Sequence, residues 1–230
     1  MTEIVKNPLF GLVLSIGVYV LFDKLYKRYP TPLFTPLLLA TITIIAFLKL
    51  TGISYEDYYQ GGSILNMFIV PSTVALAIPM YRNFERMKHH FKSIIFGIGL
   101  GALVNTLLTV LFVRVFDLED KIAMSIFPRS VTTAMALGIS EEMRGIMSVT
   151  IVAVAATGLL TSVIGIPLLK LFKISDPIAQ GIAMGATGHA IGTGKAFELG
   201  KTQGAMGGLS IGLTGIFYVM IVPVIVQIFF

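Results

Sequence analysis

The sequence predicts an all-α polytopic membrane protein, and three observations carry that expectation. Hydrophobic residues fill 55% of the 230 positions and charged residues only 13%, against roughly 25% charged in soluble domains, and mean hydropathy is +0.87. Apolar runs recur along the whole length, so a cleaved leader ahead of a soluble domain does not account for them. The basic residues behind the net charge of +5 stand in short clusters between those runs. That is the distribution of cytoplasmic loops, not of a nucleic-acid surface.

Eight apolar segments follow, at approximately 8–22, 33–48, 64–80, 94–113, 122–139, 146–169, 178–197 and 206–230. A helix needs about 20 residues to cross a bilayer, and most of the segments suffice with some tilt. No linker between them is long enough for a domain boundary. Residues 1–230 therefore read as one transmembrane domain, with about 8–115 scaffold-like and about 116–230 bearing the substrate site.

The first segment runs into "DKLYKRYPTP", with Lys24, Lys27 and Arg28, and the third into "YRNFERMKHHFK", with Arg82, Arg86, Lys88 and Lys92. The second and fourth end in the acidic "SYEDYY" and "DLEDK". Basic loops stay cytoplasmic, so the N-terminus is expected outside. The sixth and eighth segments are long and apolar. The fifth and seventh are not regular: Pro128 and Arg129 interrupt one, and "GATGHAIGTGKAFELG" (185–200) puts glycines where a lipid-facing helix prefers leucine. Non-helical backbone at membrane depth survives only against protein or a water-filled cavity. About 122–140 and 178–200 are therefore expected to be broken or re-entrant. If both dip and return, Lys170 and Lys173 become cytoplasmic and "SEEMRG" external, which improves the charge balance.

An internal repeat points the same way. "ALGISEEMRGIMSVTIVAVAATGLLTSVIGIP" and "AFELGKTQGAMGGLSIGLTGIFYVMIVP" share a charged turn, a Thr-Gly and a closing proline, with Thr157-Gly158 against Thr214-Gly215 and Pro167 against Pro223 after one gap. Repeats separated by an odd number of spans are inverted, and paired broken segments in inverted repeats are the usual frame of a secondary transporter.

Candidate ligand-binding residues lie in the two irregular segments. In "PRSVTT", a proline ahead of a Ser/Thr-rich helix start leaves free N–H groups at the positive end of a half-helix. Ser130, Thr132 and Thr133 add hydroxyls, and Arg129 a planar fork suited to carboxylate. The plainer alternative has the hydroxyls bonding back to their own helix; an arginine this deep is a functional residue by default. In "TGHAIGT", Thr187, Gly188, His189, Gly192 and Thr193 are candidates for a ligand-facing break, and His189 is also the candidate for proton coupling. Against this, His189 could be satisfied by a backbone carbonyl, and Gly181, Gly185, Gly188 and Gly192 could serve close helix approach.

Absences narrow the function. With no cysteine in the chain, disulfides, thiol catalysis and thiolate metal sites are excluded. "GTGKA" lacks the upstream glycine and following Ser/Thr of a phosphate-binding loop, and no dinucleotide fingerprint or Cys/His cluster occurs. Neither a cofactor, a metal nor an enzymatic activity is expected. Glu141, Glu142 and Glu198 sit at segment ends as solvated charges.

"PRSVTTAMALGISEEMRG", "ISDPIAQGIAMGATGHAIGTGKAFELG" and "PSTVALAIPMYR" together resemble the LrgB/CidB family of bacterial membrane proteins, whose plant relative is the plastidal glycolate/glycerate translocator. Pro128 to Thr133 match its Pro-Lys/Arg-Ser-Val-Thr-Thr. "TGHAIGT" matches its Ser/Thr-His-Gly-Ile-Gly-Thr with one inserted glycine and with Ala190 where glycine is usual. The resemblance implies either a carrier of small monocarboxylates of the pyruvate, glycolate and glycerate type, or a holin- or antiholin-like protein that modulates murein hydrolases and lysis. A third reading is an accessory subunit of an LrgA/CidA-type partner. The cost of an intramembrane arginine and histidine favours the carrier. A small carboxylate, membrane lipids and a second copy of the chain are the expected partners. A homodimer is the commonest closed assembly, with contact through the early segments.

Overall fold

The computed structural model describes residues 5, 7–29, 31, 34–75 and 77–230. The chain divides into two compact units, Met1–Ala75 and Leu76–Phe230. The first holds α1 (Pro8–Arg28), α2 (Pro36–Thr51), α3 (Tyr55–Asn66) and α4 (Ile69–Ala75). The second holds α5 (Ala77–Arg82), α6 (Phe84–His89), α7 (Phe91–Val115), α8 (Asp120–Ile126), α9 (Thr133–Glu142), α10 (Met147–Leu171), α11 (Pro177–Leu199) and α12 (Lys201–Phe229). No strand occurs among the described residues.

Local chemistry sets the helix ends. Asn7 caps α1 by accepting from Leu9 N–H, Ser54 caps α3 through Asp57 N–H, and Asp176 caps α11 through Ala179 N–H at 2.8 Å. Pro8, Pro36 and Pro177 stand at helix starts, where a missing N–H costs nothing. α2 stops at Gly52, whose φ of 69° only glycine adopts without strain.

By length and hydropathy α1, α7, α10 and α12 can each cross a membrane, and α2 is a shorter apolar helix of 16 residues. The outer faces carry exposed Val13, Leu21, Phe96, Leu111, Val152, Leu160, Met220 and Ile228, as lipid contact requires. The third expected segment, 64–80, is not one helix: α3 ends at Asn66, a turn covers 67–68, and helix resumes at Ile69. Pro71 stands in the first turn of α4, where its ring is tolerated but cannot continue a preceding helix. The acidic "SYEDYY", expected as loop, opens α3 instead. Its Ser54 cap and Glu56 and Asp57 in the first turn suit the positive end of a helix. In the first unit, a methyl group on Gly11 would stand 2.1 Å from Tyr58 O, so α1 and α3 touch backbone to backbone.

Both irregular segments are broken in the second unit. The fifth splits into α8 and α9 around a non-helical stretch at 127–132. That stretch is enclosed by a core of Ala123, Phe127, Val131, Ala136, Val154, Tyr218 and Val222. Ser125 Oγ accepts from Ile146 N–H at 2.7 Å, and Thr150 Oγ1 donates to Ser140 Oγ at 2.7 Å. The start of α10 is thereby tied to both α8 and α9.

The seventh segment doubles back. His189 has φ 43° and ψ −129° in the middle of α11. A methyl group on Gly192 would lie 2.0 Å from Met184 O, although eight residues of straight helix separate two positions by about 12 Å. The first arm runs parallel to α12, Gly181 lying against Gln203 and Gly185 against Gly207. The second returns antiparallel, Thr193 lying against Gly207 and Phe197 against Gly204. Gln203 Nε2 donates to Gln180 Oε1 at 3.1 Å, and Leu169, Met184, Ala196 and Leu199 pack together. Both ends of α11 therefore lie beside the C-terminal end of α10 and the start of α12.

Candidate functional site

A cavity of about 720 Å³ opens in the second unit between α7, the α8–α9 break, α10, α11 and α12. His90, Ser93 and Asp176 line it near the helix starts. Asn105 lies 14 residues beyond the first residue of α7, about 20 Å deeper along that helix, and lines the cavity with Arg129, Ser130, Thr157, Thr187, Thr214 and Tyr218. A second cavity of about 410 Å³ between α10 and α11 also reaches Arg129, Thr157 and Thr187.

Arg129 occupies the α8–α9 break, where leaving the helix lets its side chain turn toward α7. Its Nη1 donates to Thr109 Oγ1 at 2.6 Å and to Ile126 O at 3.4 Å, and its Nη2 donates to Asn105 Oδ1 at 2.8 Å. All three acceptors are neutral. Among the described residues the ion pairs are Lys27–Asp23 and Lys195–Glu198, so no carboxylate neutralises Arg129. Asn105 Nδ2 donates to Ser130 Oγ at 3.0 Å and also to Tyr218 Oη. α7, the break and α12 thus meet at one amide.

Thr214, one turn before Tyr218 on α12, is 2% exposed, and its hydroxyl has no partner in the protein. Thr157 also lines the cavity, but its hydroxyl donates to Ala153 O at 2.8 Å. Thr157 and Thr214, the threonines of the two Thr-Gly pairs, therefore both line one cavity. A methyl group on Gly158 would meet His189 and Ile191, and one on Gly215 would meet Met135 of α9.

The structure brings Arg129, Ser130 and Thr187 together on the cavity. It leaves the other sequence candidates off that lining. Thr132 is the N-cap residue of α9 without a side-chain cap bond, and Thr133 is exposed. Gly188 presses on Thr161, and Gly192 on Met184 O. Thr193 is 1% exposed with an unpartnered hydroxyl. His189 is buried, with Nε2 3.1 Å from Val154 O; a carbonyl only accepts, so the ring donates from Nε2. Glu198 pairs with the buried Lys195 at 2.6 Å.

Motif reading does not reach Asn105, Thr109, Thr214 or Tyr218. The available signal was "GALVNTLLTV", an asparagine and two threonines inside an otherwise apolar spanning helix, where polar side chains are costly and mark sites. The two Thr-Gly pairs held a second signal, because both of their threonines line the cavity.

No solved structure matches this chain. The LrgB-like family profile matches residues 15–228, nearly the whole sequence, and the chain belongs to that family of multi-pass membrane proteins.

Proposed function

We propose that the protein is a secondary transporter of small monocarboxylates, with Arg129 as the anion-binding group. One observation carries this reading: a guanidinium on a cavity wall, inside apolar helices, is held only by neutral acceptors. Of its five N–H groups, three are used within the protein. Two remain for a ligand. An uncompensated charge at this depth is expensive, and a carboxylate answers both its charge and its fork geometry.

The topology supports carrier action. α7 and α12 run parallel, Ile94 and Ile98 packing with Met206, and Arg114 near the far end of α7 donating to Phe229 O. α8–α9 then enters and leaves at the far end, α10 crosses back, α11 dips in from the near end, and α12 crosses again. We read this as an inverted repeat of a re-entrant hairpin followed by a proline-containing span, a frame suited to alternating access. In this reading the cavity opens near Lys88, Lys92, Lys170 and Lys173, which is the cytoplasmic side by charge. A homodimer belongs to the same proposal; an LrgA/CidA-type partner is the alternative tested below, and proton coupling through His189 would need its buried bond to Val154 O to open.

Uptake into proteoliposomes tests it. The expected result is saturable entry of labelled glycolate or pyruvate, inhibited by other small monocarboxylates. Equal leakage of unrelated solutes would overturn the carrier reading in favour of a lesion-forming protein, and uptake that needs an added small membrane partner would show an accessory subunit.

A further inference from the structure

Asn105 links three cavity groups, and the chemistry of those groups fixes how it is oriented. A guanidinium has N–H groups and no acceptor, so the Asn105 atom 2.8 Å from Arg129 Nη2 is the carbonyl oxygen. The amide nitrogen must then face Ser130 Oγ, at 3.0 Å, and Tyr218 Oη. An amide NH₂ only donates. Both hydroxyls are therefore acceptors toward Asn105, and their own protons point elsewhere. Those protons cannot both be absorbed between the two hydroxyl oxygens, so at least one is left for a further acceptor, and both residues line the cavity. With the two N–H groups of Arg129 that no protein acceptor takes, the groups around Asn105 hold up to three donors for a ligand, while the Asn105 carbonyl oxygen is already used by the guanidinium.

We infer that Asn105 is a positioning residue that sets the hydrogen-bond polarity of the site, biasing it toward donors and so toward an ionised carboxylate over a neutral group of the same shape. This rests on the carboxylate reading above and adds the residue that enforces it. An ionised carboxylate brings only acceptors, which the wall satisfies. The matching carboxamide brings no charge for Arg129, and its NH₂ must compete with Asn105 for the hydroxyl oxygens of Ser130 and Tyr218, which is costly in a buried site.

The account makes a sharp distinction between two substitutions of similar size. Asn105→Asp puts a second acceptor where the amide donated. The new carboxylate takes Arg129 for itself, draws the Ser130 and Tyr218 protons inward, and cancels the charge of the site. Asn105→Gln keeps both polarities on a longer stem.

The test is equilibrium binding of labelled glycolate and competition by glycolamide, using purified full-length protein in nanodiscs, with melting temperature as the control for folding. In the wild type, glycolate should bind at least about tenfold more tightly than glycolamide, and Asn105→Asp should weaken glycolate by roughly a hundredfold. Asn105→Gln should weaken it by less than about tenfold. Tyr218→Phe should cost several-fold alone and nothing further in the Asn105→Asp background, because the two act through one network. Glycolate binding within about threefold of wild type in folded Asn105→Asp, or costs that multiply independently, would overturn the inference. If Asn105→Asp does not fold, Ser130→Ala/Tyr218→Phe decides: it keeps Arg129 and Asn105, and should still lose about tenfold, with unchanged affinity overturning the inference. A wild type that binds no monocarboxylate would instead overturn the function proposed above.

Discussion

The two broken segments solve the same physical problem in different ways. At 127–132 the backbone leaves the helix and delivers Arg129 and Ser130 to a cavity. At His189 the backbone turns sharply, and the turn is buried: His189 bonds to Val154 O, while Gly188 and Gly192 press against Thr161 and Met184. Only Thr187 of that motif reaches the cavity. The first break therefore brings polar groups to a cavity, and the second is closed by packing. Two stretches that look equally irregular in sequence differ because arginine needs space and a ligand, whereas glycine permits backbone to approach backbone.

Substitutions can break or sharpen this contrast. The largest effect should come from Arg129→Gln, which removes charge but keeps length. Uptake should fall by roughly a hundredfold or more while the protein still elutes as a folded species in detergent. Wild-type transport by that variant would remove Arg129 from the site.

Gly192→Ala should do the reverse. Its methyl group would stand 2.0 Å from Met184 O, a backbone atom that cannot swing aside. Folded protein should be lost, with destabilisation of about 3 kcal/mol or more, read as a lowered melting temperature or absent yield. A stable Gly192→Ala would mean that α11 does not double back as described.

Thr214→Val tests binding and stability at a single position. The valine removes a buried hydroxyl that has no protein partner, so the empty protein should be as stable or slightly more so. Affinity for a 2-hydroxy acid and for acetate should stay within about threefold of wild type, because the hydroxyl oxygen is enclosed by protein and not presented to the cavity. A several-fold loss confined to the 2-hydroxy acid would show that the hydroxyl turns outward to read the second oxygen.

The smallest effect belongs to Thr133→Ala. Thr133 is exposed and off the cavity lining, so both melting temperature and uptake should stay near wild type, within about 0.5 kcal/mol. A tenfold loss of uptake there would bring the start of α9 back into the site.

Much of this arrangement was legible in the sequence, for identifiable reasons. Apolar runs and basic clusters mark a polytopic membrane protein because the bilayer punishes any other use of them. Pro128 and the glycines at 185–194 announce breaks because each is a poor helix former. Arg129 announces itself by its cost. What the sequence did not disclose was set by three-dimensional pairing. Asn105 gains its role only when α7 lies against the break and Tyr218. The two fates of "PRSVTT" and "TGHAIGT" depend on what packs against each. The turn at 67–68 was partly readable from Pro71, but the apolar run around it reads as a span.

The central claim is that the cavity beside Arg129 is where a small carboxylate binds. The chain contains no cysteine, so Ala186→Cys, on the cavity lining next to Thr187, creates a unique reporter in an otherwise native protein. The direct measurement is its rate of reaction with a small maleimide in membranes, with and without glycolate. The account predicts that glycolate slows labelling in a saturable way, that glycolamide does not, and that adding Arg129→Gln abolishes the protection. Labelling that is unaffected by any monocarboxylate, in protein that still carries out saturable uptake, would contradict it and place the site elsewhere.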